Sequence, residues 1–385
     1  MRIKVRRLLK GAGGKEHLSN PTDGPLDAGI YDYPMEGHSN AARDAYSQIA
    51  GRKWRVLLLS ILAIFAMFVI LIMMGSLKLS PMEVLAAILY PDSLSPGVRV
   101  VIWGDGGRLV VAVMAVTVGL ALGAAGAEMQ TILDNPLADP YTLGISSAAA
   151  FGAGAFIVMG VGIPSIGIYA IPLNAFVLSM VSCLVIYAMA RKKAADKTVM
   201  ILTGIALMFL FQALVSMVQY SGNAQQASAV LFWMFGSLSR ATWENVAIVI
   251  VVLASVLIFF ILNSWRLTSL KLGDTKAQSL GVNVGKLRRN VLLGVSLLTA
   301  TAVSFTGTIG FVGLVGPHMA RMIVGDDQRY FLPFSALMGA IMLLAAAIIC
   351  KLISPSASYP IGIVTSLIGV PFFMMLILRK KGALF

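Results

Sequence analysis

Charge is what this sequence has least of. Asp, Glu, Lys and Arg make up 12% of its 385 residues, against 58% hydrophobic residues and a mean hydropathy of +0.85. Soluble domains carry about 25% charged and about 45–50% apolar residues. At half that charge, a chain of this length lacks the polar surface to cover a water-soluble fold, which excludes a soluble enzyme. Cysteine is scarce too: Cys183 and Cys350 both sit in apolar runs, so no disulfide framework is implied. His17, His38 and His318 are widely scattered and form no metal-ligand cluster with them, so no metal is expected.

Catalytic signatures are missing as well. A phosphate loop needs G-x-x-x-x-G-K-[ST]. The nearest match, Gly281-Val-Asn-Val-Gly-Lys286-Leu287, is one residue short and lacks the hydroxyl that holds magnesium. No HExxH, GxSxG or paired-carboxylate pattern occurs. The chain is therefore expected to be no enzyme and to bind no cofactor itself. Any energy source other than an ion gradient must come from a partner.

What the sequence has is apolar length. A helix needs about 20 apolar residues to cross a bilayer, and ten runs qualify: 56–75, 109–131, 141–161, 171–190, 198–219, 243–263, 290–306, 309–324, 331–352 and 360–378. The seventh and eighth are short or broken, because Gly307, Gly310, Gly313 and Gly316 interrupt one long stretch. Residues 1–52 are polar with a basic start and no apolar stretch behind it, which reads as a cytoplasmic tail, disordered in part, rather than a signal peptide. The remaining 53–385 form the ten-span domain.

The net charge of +13 does not point to nucleic acid, because its distribution is that of a membrane protein. With ten crossings and the N-terminus inside, 25 of the 30 Lys and Arg fall on the inner side. That is the positive-inside bias, and it places both termini in the cytoplasm. All five tryptophans, at 54, 103, 233, 243 and 265, lie near span ends, as interfacial anchors should. The fold class is an all-α polytopic membrane protein. Between spans, MEVLAAILY predicts a short outer helix, FWMFGSL a partly buried turn or helix, and 264–290 two short inner helices, DTKAQSL and GKLRR, broken at Gly281.

Polar groups inside spans are candidates for a pathway or gate, since burying them in hydrocarbon is costly. These are Glu128, Gln130, Gln212 and Gln219. Glu128 reads as a gate or coupling carboxylate, or as a group hydrated at the inner interface. His318 and Arg321, one helical turn apart, read as a structural pair or a proton relay. The glycines of the second, third, seventh and eighth spans suit close helix packing in lipid.

The specific signal is a set of ordered blocks: Gly126-Ala-Glu-Met-Gln130, Asn135-Pro-Leu-Ala-Asp-Pro140, Leu143-Gly-Ile-Ser-Ser147, Phe235-Gly-Ser-Leu238 with Trp243, Ser279-Leu-Gly-Val282, Gly310-Phe-Val-Gly-Leu-Val-Gly-Pro317-His318 with Arg321, and Pro360-Ile-Gly-Ile-Val-Thr365 with Gly369-Val-Pro-Phe-Phe373. From about 55 to 381 the chain resembles the permease subunits of ATP-binding-cassette importers for iron–siderophores, haem and cobalamin. The resemblance implies ten spans, with spans two to five repeated in inverted orientation by seven to ten. It further implies a homodimer with the pathway on its two-fold axis, two ATPase subunits carrying ATP and magnesium, and a periplasmic or lipid-anchored substrate-binding protein on the outer face. Membrane lipid is the only other partner expected, with no nucleic acid.

Carried onto this chain, the resemblance puts ATPase coupling at Lys276, Ser279, Leu280, Gly281, Val282 and Lys286. The basic residues Lys276, Lys286, Arg288 and Arg289 suit an acidic partner groove, and suit the positive-inside rule equally. Binding-protein docking falls to Arg108, Lys351 and Arg240, pathway or gate roles to Gln130, Asn135, Gln212, Gln219 and Glu128, and a structural motif to Pro317, His318 and Arg321. Departures stand at Val111, Ala347, Lys351 and Ser358, where the family often has arginine, aspartate, arginine and glutamate; a lysine there is a point charge replacing a bidentate fork. The expected function is uptake of an iron chelate across a bacterial or archaeal cytoplasmic membrane by alternating access. Cobalamin is the alternative cargo, and a stand-alone gradient-driven carrier the alternative class.

Overall fold

Fifteen α-helices and short 3-10 turns make up the described chain, with no strand among the described residues. The computed structural model describes residues 35–75, 77, 79–193, 196–355 and 359–378. Contacts divide the chain into Met1–Ile49 and Ala50–Phe385, and the bundle lies in the second unit. In order, the helices are α1 (Met35–Met73), α2 (Pro81–Leu89), α3 (Pro96–Trp103), α4 (Arg108–Leu133), α5 (Ile145–Met159), α6 (Ala170–Lys192), α7 (Lys197–Ser221) and α8 (Ala224–Met234). Then follow α9 (Trp243–Leu262), α10 (Ser264–Leu270), α11 (Asp274–Ser279), α12 (Val284–Thr306), α13 (Val312–Val324), α14 (Gln328–Ile353) and α15 (Ile361–Leu378).

Every predicted apolar run is occupied by a helix. Seven helices are long and apolar enough to cross a membrane, and shorter apolar helices occupy Ile145–Met159, Val312–Val324 and Ile361–Met375. The predicted outer helix is α2, started by a capping box in which Ser80 and Glu83 satisfy each other's backbone N–H, with Pro81 at the first helical position. The FWMFGSL segment is the end of α8 followed by a turn.

Three expectations change. Residues 35–50, read as polar tail, belong to helix α1, whose apolar run from Lys53 is extended backwards by helix-forming Ala, Arg and Glu. The segment GKLRR is no separate helix but the first turn of the 23-residue α12, with Asn283 capping Lys286 N–H. Gly281 does mark the break before it, at φ 81°. The seventh run is therefore not a short span. The interruption falls between Gly307, at φ 75°, and Phe311, and of the seventh and eighth runs only the eighth, α13, is short.

Helix α4 is the axis of the bundle, buried at every residue from Ala121 to Leu133. It packs on α14, α12, α13 and α9. The sequence allows this through small residues: a Cβ on Gly119 would lie 2.6 Å from the Ala340 Cα, and one on Gly123 would strike the Ser335 carbonyl. In lipid, where tails are as apolar as leucine, such backbone approach supplies the packing energy. Pro317 inside α13 brings no N–H, which leaves the Gly313 carbonyl without its helical donor. Gly126 packs directly against that carbonyl, where a Cβ would not fit.

The pairings recur in two halves. Helix α4 packs on α14 as α12 packs on α6, and α5 packs on α6 as α13 packs on α14. The equivalence α4–α7 with α12–α15 is the internal repeat anticipated for spans two to five and seven to ten.

Candidate functional site

Between the two halves lies a cavity of about 740 Å³. The turn after α4 contributes Asp139 and Tyr141, the turn after α8 Phe235, the α12–α13 link Phe311, and α15 Ser366 and Pro371. The lining is mainly apolar, and Asp139 is its one ionisable acid. Three segments are stitched together at the cavity wall. Ser237 N–H donates to the Thr306 carbonyl at 2.6 Å, Gly362 N–H to the Phe235 carbonyl at 3.0 Å, and the Thr308 hydroxyl to the Met234 carbonyl. Gly236 makes this possible at φ 72°, where a Cβ would lie 2.6 Å from the Thr308 carbonyl oxygen.

Phe311 sits in the same wall at φ 67°, a left-handed conformation unusual for a bulky residue. Strain of this kind persists where surrounding structure over-determines it. Here Gly369 of α15 presses on the Phe311 side chain with no room for a Cβ. Asp139 is 8% exposed, and its Oδ1 accepts the Tyr141 N–H at 3.1 Å. Burial pushes its carboxyl up to about 6, against the lowering effect of that bond.

The residues nominated for the pathway lie elsewhere. Glu128 and Gln130 are fully buried in helix packing around α4, and neither side chain has a hydrogen-bond partner among the described residues. Glu128 is thus not hydrated at an interface. Asn135 builds the turn after α4, accepting Leu137 N–H at 2.9 Å. Gln212 is exposed on α7, and Gln219, near its end, has an unpartnered buried Nε2. None of the five lines the cavity. Asp139, Tyr141 and Phe311 do; the blocks 135–140 and 310–318 were the signal for Asp139 and Phe311, and Tyr141 lies just outside them.

At one end of α4 a charged lattice gathers five segments. Asp134 ends the helix in the left-handed conformation and holds Lys197 of α7 at 3.0 Å and Lys271 at 3.8 Å. Arg288 of α12, 3% exposed, forks onto Asp274 of α11 with bonds of 2.6 and 2.8 Å. Its Nε donates to the Ile132 carbonyl at 2.8 Å, one of the orphan acceptors at the end of α4. Gln328 adds a further tie, its N–H on Thr268 Oγ1 and its Nε2 on Thr131 Oγ1. Arg288 therefore faces inward and is unavailable to an outside groove. Arg289 lies near the Tyr187 ring at 5.9 Å.

The lattice holds out a small surface. Lys276, Ser279, Gly281 and Lys286 are exposed, and Leu280 is 50% exposed, a large apolar side chain presented to solvent on a short charged hairpin. Val282 turns inward at 6% exposure and anchors the hairpin in the core. Nearby, Arg321 Nε pairs with Asp326 at 2.7 Å over the Phe331 ring, while the His318 ring meets the edge of Phe372.

At the opposite end, Arg108 donates to the Ile72 carbonyl at 3.1 Å and reaches that of Met73, closing the end of α1. Lys351, close enough for the Arg108 charge to repel it, lines a small hollow with Val111 and Ala347. Arg240 donates to the Phe232 carbonyl at 3.1 Å. Ser358, residues 1–34 and 379–385 lie outside the described residues, so the readings placed on them stay as sequence readings.

Comparison with known proteins agrees with this arrangement. Residues 59–379 match the model of the FecCD transport family. The hemin transport system permease protein HmuU of Yersinia pestis is 38% identical over 275 residues, covering 71% of this chain and 82% of that one. The vitamin B12 import system permease protein BtuC of Vibrio vulnificus is 34% identical over 333 residues, covering 86% and 96%. Among solved structures, an inward-facing ABC transporter assigned to the metal-chelate type superposes with a TM-score of 0.73 at 28% identity. That match covers 85% of this chain and all of the other.

Proposed function

This chain belongs to the FecCD transport family and is a multi-pass ABC importer permease of the cytoplasmic membrane, and we propose that its cargo is an iron chelate, a siderophore complex or haem. The observation that carries this reading is the cavity. It is large, mainly apolar, and supplied with one carboxyl and a few hydroxyls. A wide passage with sparse polar groups suits a bulky complex whose identity is checked elsewhere, by a binding protein. Cobalamin fits the same description and is the second reading, favoured by the 34% identity to a vitamin B12 permease.

A gradient-driven carrier working alone would place an acid beside a cation in its passage. Here the one ionisable acid of the cavity, Asp139, has no ion-pair partner among the described residues. Glu128 is outside the cavity altogether.

In the proposed cycle two copies of the chain share the cavity on a two-fold axis, with both termini in the cytoplasm. An ATPase subunit docks on the exposed hairpin at Lys276, Ser279, Leu280 and Lys286. Burying the exposed half of Leu280 would contribute about 1 kcal/mol. Motion there passes through Asp274, Arg288 and the end of α4 toward the Asp139 turn. Arg108 and Lys351 form a cationic patch at the opposite end for a binding protein.

The test is purification from the native membrane in mild detergent, followed by reconstitution. Recovery of an ATPase with the chain, lost on Leu280→Asp with Gly281→Asp, and ATP-dependent uptake of iron chelates over cobalamin are expected. Recovery of the chain alone, still moving cargo without ATP, would overturn the importer reading. Preferred uptake of cobalamin would overturn the cargo.

A further inference from the structure

A second cavity, of about 800 Å³, lies apart from the first, between the lipid-facing helices α6 and α9. Both helices pack on α12, whose Ser304 and Phe305 form the floor. Trp233 and Phe232 of α8 close the back, and Pro172 of α6 stands on one wall. Beyond the cavity, α6 and α9 turn exposed Val177, Val181, Leu184, Ile248, Val251 and Ile258 outward. A gap between two such helices opens sideways into hydrocarbon, not onto the passage.

The polar groups of this cavity gather at one end, the end assigned to the outer leaflet by the distribution of basic residues. Arg240 lines it with one guanidinium nitrogen on the Phe232 carbonyl, and pairs with no acid among the described residues. Asn245 is 7% exposed, lines the cavity, and its Oδ1 has no partner among the described residues. Tyr169, which also lines the cavity, donates to Glu244. An unpaired buried carbonyl is costly unless something polar completes it, and the exposed guanidinium of Arg240 at the same cavity has donors to spare. The rest of the wall is aliphatic and aromatic.

From this we propose that the cavity is a binding site for one outer-leaflet phospholipid per chain. Its phosphate is held by Arg240, a head-group or glycerol donor reaches Asn245, and an acyl chain lies against Trp233 and Phe305. A guanidinium beside an apolar trough matches a phosphodiester beside an acyl chain. The site rests on the membrane setting of the chain and is independent of the cargo it carries.

Trp233 is a built-in reporter. The full-length protein would be placed in nanodiscs whose phospholipids carry brominated chains, and the Trp233 contribution obtained by difference from Trp233→Phe. Quenching of that contribution is expected, with Arg240→Glu weakening lipid retention about tenfold, the equivalent of one charge-assisted contact. Ala229→Phe, placed on an exposed wall residue so that the bundle still folds, should displace the chain without touching the charge. Native mass spectrometry should count one retained phospholipid in the parent and fewer in both variants. An unquenched Trp233, equal quenching in all variants, or equal quenching by a brominated detergent lacking phosphate would each overturn the proposal.

Discussion

The guanidinium of Arg288 meets the carboxylate of Asp274 in a two-bonded fork, while its third nitrogen closes the end of α4 at the Ile132 carbonyl. One side chain thus joins the exposed hairpin to the central helix. Asp274→Ala would remove both bonds of the fork from the buried guanidinium and should cost about 2 kcal/mol. The expected phenotype is an uncoupled importer: the ATPase still co-purifies and hydrolyses ATP, but uptake per ATP falls. A change in assembly without a change in that ratio would reduce Arg288 to a folding role. Exchanging the two residues, Asp274→Arg with Arg288→Asp, should restore part of the ratio.

Asp274 also carries a pH dependence. Hydrogen bonds from Arg288, then its charge and that of Lys197, hold the carboxyl below its ordinary value, against burial. A depressed acid contributes stability above its unfolded value of about 4 and loses it as the pH falls through the folded value. Hydrogen exchange of residues 264–283 should therefore be unaffected between pH 8 and 5 and accelerate below pH 4, after correction for intrinsic rates. Asp274→Asn should abolish the step.

Asp139 has the opposite sign. With its carboxyl raised by burial to about 6, the folded chain binds a proton that the unfolded chain has released. Stability from this group falls as the pH rises from about 4 to 6 and is flat beyond. Asp139→Asn should leave thermal stability near parental at pH 4 and raise it relative to the parent at pH 7. Parallel melting curves for the two proteins across this range would refute the buried, proton-holding carboxyl.

Phe311 and Gly369 are coupled through contact. Gly369→Ala should destabilise the chain, because its Cβ would lie 2.5 Å from the Phe311 Cγ. Phe311→Gly removes both the ring and the left-handed strain, so the double variant should recover much of the loss. A coupling of about 1 kcal/mol or more is expected in the double-mutant cycle, and additivity within error would deny the contact.

Glu128→Gln separates importer from proton-coupled carrier. The carboxyl is buried, unpartnered and outside the cavity, so the amide should keep most of the ATP-driven uptake. Loss of uptake with an intact ATPase rate would give Glu128 a place in the pathway.

Several features were legible without coordinates. Apolar run lengths gave the helices, since the bilayer fixes how many apolar residues a crossing needs. The hairpin was located by charge and by the Ser279–Val282 block, and its exposed Leu280 fits that placement. Side-chain direction was another matter. Glu128 and Gln130 were singled out as polar residues in an apolar run, yet they point into helix contacts. Arg288 was grouped with its exposed basic neighbours although it lies 3% exposed.

The sequence by itself determined that this chain lives in a membrane, where its apolar runs form helices, and which family it joins. These follow from local quantities: hydropathy, charge counts and the order of short blocks. Only the tertiary structure decided which residues line the cavity, which close the helix ends and which couple the hairpin to α4. A helix that is apolar all round carries no amphipathic stripe to announce its buried face. The decisive contacts join distant segments, as with Arg288 and a carbonyl 156 residues away.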